Sequence, residues 1–373
     1  MIDYSQPYTV DWHVYKVNVD TWDESEELPG VVSVEVSRDC TDDVPLVETS
    51  TMSVDIPYPY EFDDGWYRVI ANVLQDSTYM RVPITTQYYA TSTDTIDYVN
   101  TQSHLGDSYI GFESVSTAQL NGRSVLLPAS QAKMRDGSYV PKDSNGAEWC
   151  VRQLKLALKA PVGIIPGETG FSLKRHIVYD SNDTILSAVW SVLDAGKWCL
   201  TISGNGVVYL KPKPEDPSLI IDNEGSAILL PSVNRQKGTD GIPNRYIARY
   251  GGREVVMIND DPNSVTSTRN VGHYIDSDID DNPYLVDGES IYNYVRRKLE
   301  EASTVSIVYD YQREYYPGIY PLDIIQFHLP YSGLMGDLRV IRQRLTLAEG
   351  ITVSETASEE RKYWRVTDNG RFA

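Results

Sequence analysis

Apolar and polar residues alternate in short runs through the first hundred positions. HVYKVNVD alternates over 13–20, VVSVEVSR sets Val32, Val34 and Val36 on one face, and TSTMSVDIPY does the same with Met52, Val54 and Ile56. WYRVIANVL and YMRVPITTQYYAT follow, and turns rich in Asp, Pro and Gly (DESEELPG, PYPYEFDDG) separate the runs. A period of two bounded by turn residues predicts strands, and five or more at this spacing predict a small antiparallel barrel or sandwich.

The period changes over 101–235. GAEWCVRQLKLALKA predicts a helix with Trp149, Leu154 and Leu158 on one side. NDTILSAVWSVLDAG predicts a second, with Asp183 as N-cap and Gly196 as C-cap. KWCLTISGNGVVYLKPKP reads as a hairpin turning at Asn205-Gly206. Over 236–357 strands return: IPNRYIARYGG and REVVMIND pair across Gly251-Gly252. A polar insertion at about 259–303 ends in the helix DGESIYNYVRRKLEEAS, with Ile291, Val295 and Leu299 at helical spacing. The strands VSIVYDYQRE, LDIIQFHL, LRVIRQRLTL and ITVSETA complete this part, and 358–373 reads as a tail that orders on a partner. The expected fold is mainly β with α+β elements. It comprises an antiparallel barrel at 1–100, a middle α/β module at 101–235, and a second barrel at 236–357 carrying the helix-containing insertion.

Composition narrows the function classes. The chain has 373 residues and a formal net charge of −20, a field that repels phosphate and argues against nucleic-acid recognition over the surface. No apolar run is long enough for a spanning helix, and MIDYSQPYTVDWHVYK lacks the basic start and apolar core of a signal peptide. Cys40, Cys150 and Cys199 are widely spaced without a CxxC pair and are expected as free buried thiols. Tyrosine, at 27 against 5 Phe, suits both half-buried strands and subunit interfaces.

Candidate chemistry is sparse. GDSYIG would make Ser108 an esterase nucleophile, but polar DYVNTQSHL precedes it and no late Asp-x-x-His pair follows. Asp276, Asp278, Asp280 and Asp287 are spaced like a calcium loop, yet Asp281 stands where glycine is needed and Asp287 where a bidentate Glu is needed. Weak calcium binding by the Asp276–Asp287 loop stays open. His13, His104, His176, His273 and His328 form no HxxxH pattern, and no phosphate loop occurs. Arg296, Arg297 and Lys298, and Arg339, Arg342 and Arg344, are expected in ion pairs. No catalytic, cofactor-binding or metal site is expected.

The order of parts resembles the hub proteins of phage tail tips and baseplates. The likeness rests on WHVYKVNV through VSVEVSRDCTDDVPLVETSTMSVDIP as an opening barrel and NDTILSAVWSVLDAGKWCLTISGNGVVYLKP as a helix leading into a hairpin. LEEASTVSIVYDYQREYYPGIYPLDIIQFHL with GDLRVIRQRLTLAEGITVSETA would be the closing barrel. The resemblance implies a non-enzymatic structural protein of the virion tail tip, assembled in the host cytoplasm. Three copies would form a ring whose two tube-like barrels per subunit join a sixfold tail tube to a threefold tip. Tape-measure protein and DNA would pass through its channel. It implies contacts with the tail tube, distal tail and tape-measure proteins and a separate spike or fibre, and no sequence-specific nucleic-acid binding. Barrel edges and Tyr-rich strand faces would form the interfaces. Because the chain stops soon after the closing barrel, no cell-wall hydrolase is expected. Two alternatives compete with the hub reading. One is a monomeric β-rich carbohydrate-binding module using Trp12, Trp22, Trp66 and Tyr58–Tyr60. The other is a hydrolase using Ser108.

Overall fold

The computed structural model describes residues 8–41, 46–57, 62–75, 77–98, 114–173, 176–222, 233–237, 241–280, 290–303, 305–329, 334–348, 350–361 and 371–372. The chain divides into two compact units, Met1–Ser232 with Tyr311–Thr356, and Val233–Asp310 with Ala357–Ala373. The elements in chain order begin with β1 (Thr9–Val17), β2 (Glu24–Glu27), β3 (Val31–Asp39), β4 (Val47–Pro57), β5 (Gly65–Gln75), β6 (Thr78–Tyr98) and β7 (Ser114–Arg123). Next come α1 (Leu127–Gln131), β8 (Tyr139–Val140), α2 (Gly146–Ala157), β9 (Val162–Ile164), β10 (Ile177–Val178), α3 (Ile185–Ala195), β11 (Trp198–Ile202), β12 (Val208–Pro212) and β13 (Pro217–Asp222). β14 (Asn234–Lys237), β15 (Arg245–Tyr250), β16 (Arg253–Ile258), α4 (Thr268–Val271) and α5 (Ile291–Ala302) follow. The chain closes with β17 (Val305–Glu314), β18 (Ile324–Leu329), β19 (Leu334–Leu347), β20 (Ile351–Arg361) and β21 (Arg371–Phe372).

The first unit is built on an antiparallel sheet in the order β20-β19-β3-β4-β7-β6-β5-β1-β2. β18 pairs with β19, and β13 runs parallel to β18. The architecture is mainly β, as expected, although the ladders among the described residues do not close into a barrel. Val34, Val36, Met52, Val54, Val69, Ala71, Leu120, Leu345 and Leu347 fill one side of the sheet. Val32 departs from the expected face. A bulge between Val31 and Ser33 shifts the register, so Val31 packs inward and Val32 is 51% exposed.

The middle module has an apolar core of its own. α2 starts on Asn145, whose side chain accepts from the Glu148 N–H. α3 starts on Thr184 rather than Asp183, and Thr184 and Ser187 satisfy each other's backbone in a capping box. Asp183 instead accepts from the Asp180 N–H at 3.1 Å. Gly196 caps the end of α3 as expected, and β11 and β12 form the hairpin turning at Asn205-Gly206. Leu154, Val189, Val192, Leu193, Cys199 and Leu200 are buried together. All three cysteines are buried, as expected, and burial pushes the Cys199 thiol up to about 11.

In the second unit, β15 and β16 pair across Gly251 and Gly252, both at positive φ. α5 begins at Ser290 and lays Tyr294, Val295 and Leu299 on Ala248 and Met257. The segment expected as a tail holds the end of β20 and also β21, which pairs with β16.

Candidate functional site

The register of the first sheet sets its exposed face in rows. Arg344, Ser37, Thr49 and Arg123 form one row across β19, β3, β4 and β7. Thr346, Glu35, Thr51 and Asn121 form the next, then Ser33, Ser53 and Gln119, and finally Asp55 beside Thr117. Residues opposite one another across a ladder share a face. The side chains are short, hydroxylic or amide, with Arg344 paired to Glu35 at 2.6 Å and Arg342 to Asp39. Thr117 donates to Asp55 at 2.8 Å, and Gln119 donates to Ser53 at 3.0 Å. The chain's acidity is therefore not gathered here: Arg123, Arg342 and Arg344 share this face with Glu35, Asp39 and Asp55, and Arg342 and Arg344 are ion-paired to Asp39 and Glu35. Val47, opposite Asp39 and 48% exposed, adds an apolar side chain to this largely polar face, on which arginines and carboxylates are equal in number.

Beneath it runs a buried polar network. Arg38 donates through Nε to Glu48 at 2.7 Å and through Nη1 to Gln343 at 2.9 Å. Gln343 donates to Glu355 at 2.8 Å. Arg313 grips Glu355 with two nitrogens, at 2.6 and 2.8 Å, and the Tyr311 hydroxyl donates to the same carboxylate at 2.8 Å. On the other side Gln87 and Thr85 donate to Glu48, and the Ser50 hydroxyl donates to Gln87 at 2.7 Å beside Tyr89. Burial works against the Arg38 cation, but Glu48 and its neighbours hold its pKa above the ordinary value. Burial and the Glu355 charge raise the Tyr311 hydroxyl well above its usual range. Gly122 leaves this cluster room, because a Cβ there would stand 1.9 Å from Ser50 Oγ and 2.4 Å from Gln87 Oε1.

The hairpin tip of the middle module docks at the margin of the same sheet. Trp22 Nε1 donates to the Asn205 carbonyl at 2.7 Å, Arg68 to the same carbonyl at 3.0 Å, and Thr86 to the Gly204 carbonyl at 2.8 Å. Gly204 is required by contact, since a Cβ would fall 1.8 Å from the Pro83 carbonyl oxygen.

The sequence candidates separate in space. Trp22 and Trp66 pack together at 5.3 Å against the module. Trp12 stands opposite Ala71, while Trp66 lies further down the same β5 strand. Five residues along a strand are about 17 Å. Tyr58–Tyr60, Ser108, His104, Asp281 and Asp287 lie outside the described residues. Asp276 is held by Arg245, which lowers its pKa, and Asp280 accepts from the hydroxyls of Tyr246 and Tyr294. Asp278 is exposed. His13 sits between Asp11 and Glu27, His176 Nδ1 accepts from the Lys142 N–H, and His328 is exposed on β18. Arg297 and Lys298 pair with Glu301, whereas Arg339 caps the carbonyls of Leu322 and Pro214. Among the described residues no helix is long and apolar enough to cross a membrane. Many tyrosines prove to be core residues with a hydrogen-bonded tip: Tyr67 donates to the Asp63 carbonyl, Tyr179 to that of Ala188, and Tyr309 to Glu359.

No family profile matches the chain, and no curated protein matches its sequence. Its fold does match solved structures. The 43 kDa tail protein of prophage MuSo2 from Shewanella oneidensis superposes with a TM-score of 0.59 over 93% of this chain and 98% of that one, at 10% identity. A tail protein from Neisseria meningitidis MC58 gives 0.58 over 93% and 96%, at 11% identity. The chain thus has the fold of solved phage-type tail proteins over nearly their whole length.

Proposed function

We propose that this protein is a structural hub of a phage or phage-derived tail tip. Three copies would form a ring between a sixfold tail tube and a threefold tip. Sheet segments from 1–100 and 236–357, with β7 between β4 and β6, would serve as the two tube-like parts of each subunit, and α2, α3 and the β11–β12 hairpin of the middle module at 101–235 would lie outside them. The observation that carries the reading is the whole-chain fold match to two tail proteins. The hydroxyl-lined, charge-balanced sheet face supports it, because a channel wall that passes tape-measure protein and DNA must not bind either. Interfaces of such an obligate ring would bury more than about 2,000 Å². The role needs no catalysis, and the partners proposed are the tail tube, distal tail, tape-measure and spike or fibre proteins.

Electron microscopy of the purified protein with its neighbouring tail proteins tests the proposal. The expected image is a threefold ring with six lobes about a channel. Isolated monomers in the presence of those partners would overturn it and turn attention to a glycan-binding screen.

A further inference from the structure

Two strands end their ladders with opposite charge. Among the described residues β2, with sequence ESEE, pairs with β1 alone, and β14, with sequence NRQK, pairs with β17 alone. Among the described residues no strand lies on the far side of either, where a row of backbone N–H and C=O groups is a template for another strand. On β2, Glu24 is held by Arg68 and Arg81, Glu27 reaches His13, and Glu26 is exposed. On β14, Arg235 is exposed with its guanidinium 5.8 Å over the Tyr309 ring.

Charge on an edge strand guards against pairing with another chain, and like charges opposite one another across a ladder repel. β2 is thus protected from a second β2, and β14 from a second β14. The same charges favour β2 against β14. We propose that β2 of one copy pairs edge to edge with β14 of the next copy, with the β2 acids beside Arg235. The two surfaces differ, so the contact is heterologous, the type that closes into a ring when the rotation allows. The inference rests on the ring reading above and assigns its partner choice to these edges. Four-residue strands supply register and specificity, and the remaining interface supplies area.

Glu26→Lys and Arg235→Glu, made singly and together, test the pairing. Association is followed by sedimentation in low salt with the neighbouring tail proteins present, and far-UV circular dichroism verifies folding. Each single reversal is expected to weaken assembly at least about tenfold, and the double reversal to recover most of it. The neutral Glu26→Gln and Arg235→Gln variants should fall between, which keeps the test valid if a reversal misfolds. Assembly untouched by either reversal, or a double variant no better than the singles, overturns the edge pairing and leaves the hub reading standing. Wild-type protein that stays monomeric with its neighbours present overturns both.

Discussion

The two interiors of the first unit are built from different materials. The middle module closes over Trp149, Leu154, Trp190, Leu193, Trp198 and Leu200, an apolar core between two helices and a hairpin. The sheet's inner side holds Val34, Met52, Leu120 and Leu345, but also Arg38, Glu48, Gln87, Arg313, Gln343 and Glu355, each at most 3% exposed. The difference follows from how each part can go wrong. Helices against a hairpin are positioned by shape. A strand can slip by one residue, and the slip turns every side chain to the other face. A slip of β3 would draw Ser37 or Asp39 into the place of Arg38 and leave Glu48 buried without its cation. The apolar residues alone penalise a slip less specifically than a fixed set of charged partners.

The largest expected effect lies in that network. Glu355→Ala leaves the Arg313 guanidinium buried without its carboxylate and removes the acceptor of Tyr311 and Gln343. Removing one partner of a buried pair costs about 3–5 kcal/mol. Urea unfolding should show that loss. Replacing Arg313, Glu355 and Gln343 together by apolar residues of similar volume should recover most of the stability, and amide exchange should then reveal a less protected β19–β20 ladder. If the triple variant stays as unstable as Glu355→Ala, the charged set contributes more than register.

Leu193→Ala probes the other interior. Leu193 is fully buried on α3, and its truncation should cost about 3 kcal/mol through lost transfer energy and the cavity left behind. The loss should appear in thermal melts without the recovery that the network allows. Thr184→Ala is smaller. It removes the N-cap of α3 and half of a capping box, for about 1 kcal/mol, whereas Asp183→Ala should change little. Equal losses from the two would return the cap to Asp183.

That one-residue displacement shows what the sequence made legible. Asn205-Gly206, Gly251-Gly252 and the α5 stripe were readable because turn chemistry and helical spacing act over a few residues. The Val32 bulge was not, since it depends on the register with β4. The buried network was missed because its members lie hundreds of positions apart, yet a signal was present. Arg38 shares the period-two face of Val34 and Val36, Gln343 that of Leu345 and Leu347, Glu48 that of Met52 and Val54, and Glu355 that of Val353. A charge on the apolar phase of a strand predicts a buried partner. The hydroxyl-lined face was present as the other phase of the same runs, but only the ladder register joins it into rows.

The smallest effect belongs to the open margin of the sheet, where charge meets water rather than a core. His13 Nδ1 lies 2.6 Å from Glu27 Oε1 and His13 Nε2 lies 2.9 Å from Asp11 Oδ2. Carboxylates only accept, so both bonds form together only on the doubly protonated ring. Partial burial pulls the His13 pKa down, but the bonds and charges of Glu27 and Asp11 outweigh it and set the value above 6.5. A raised folded-state value means the imidazolium's stabilisation is complete below the unfolded value. It fades as pH rises through the folded one. His13→Gln should therefore lower the urea midpoint below pH of about 6 and differ less from the parent at pH of about 9. An NMR titration of the His13 ring gives the folded value directly. A midpoint at or below the ordinary histidine value would show that β2 is held to β1 by its backbone ladder alone, as an apolar strand would be.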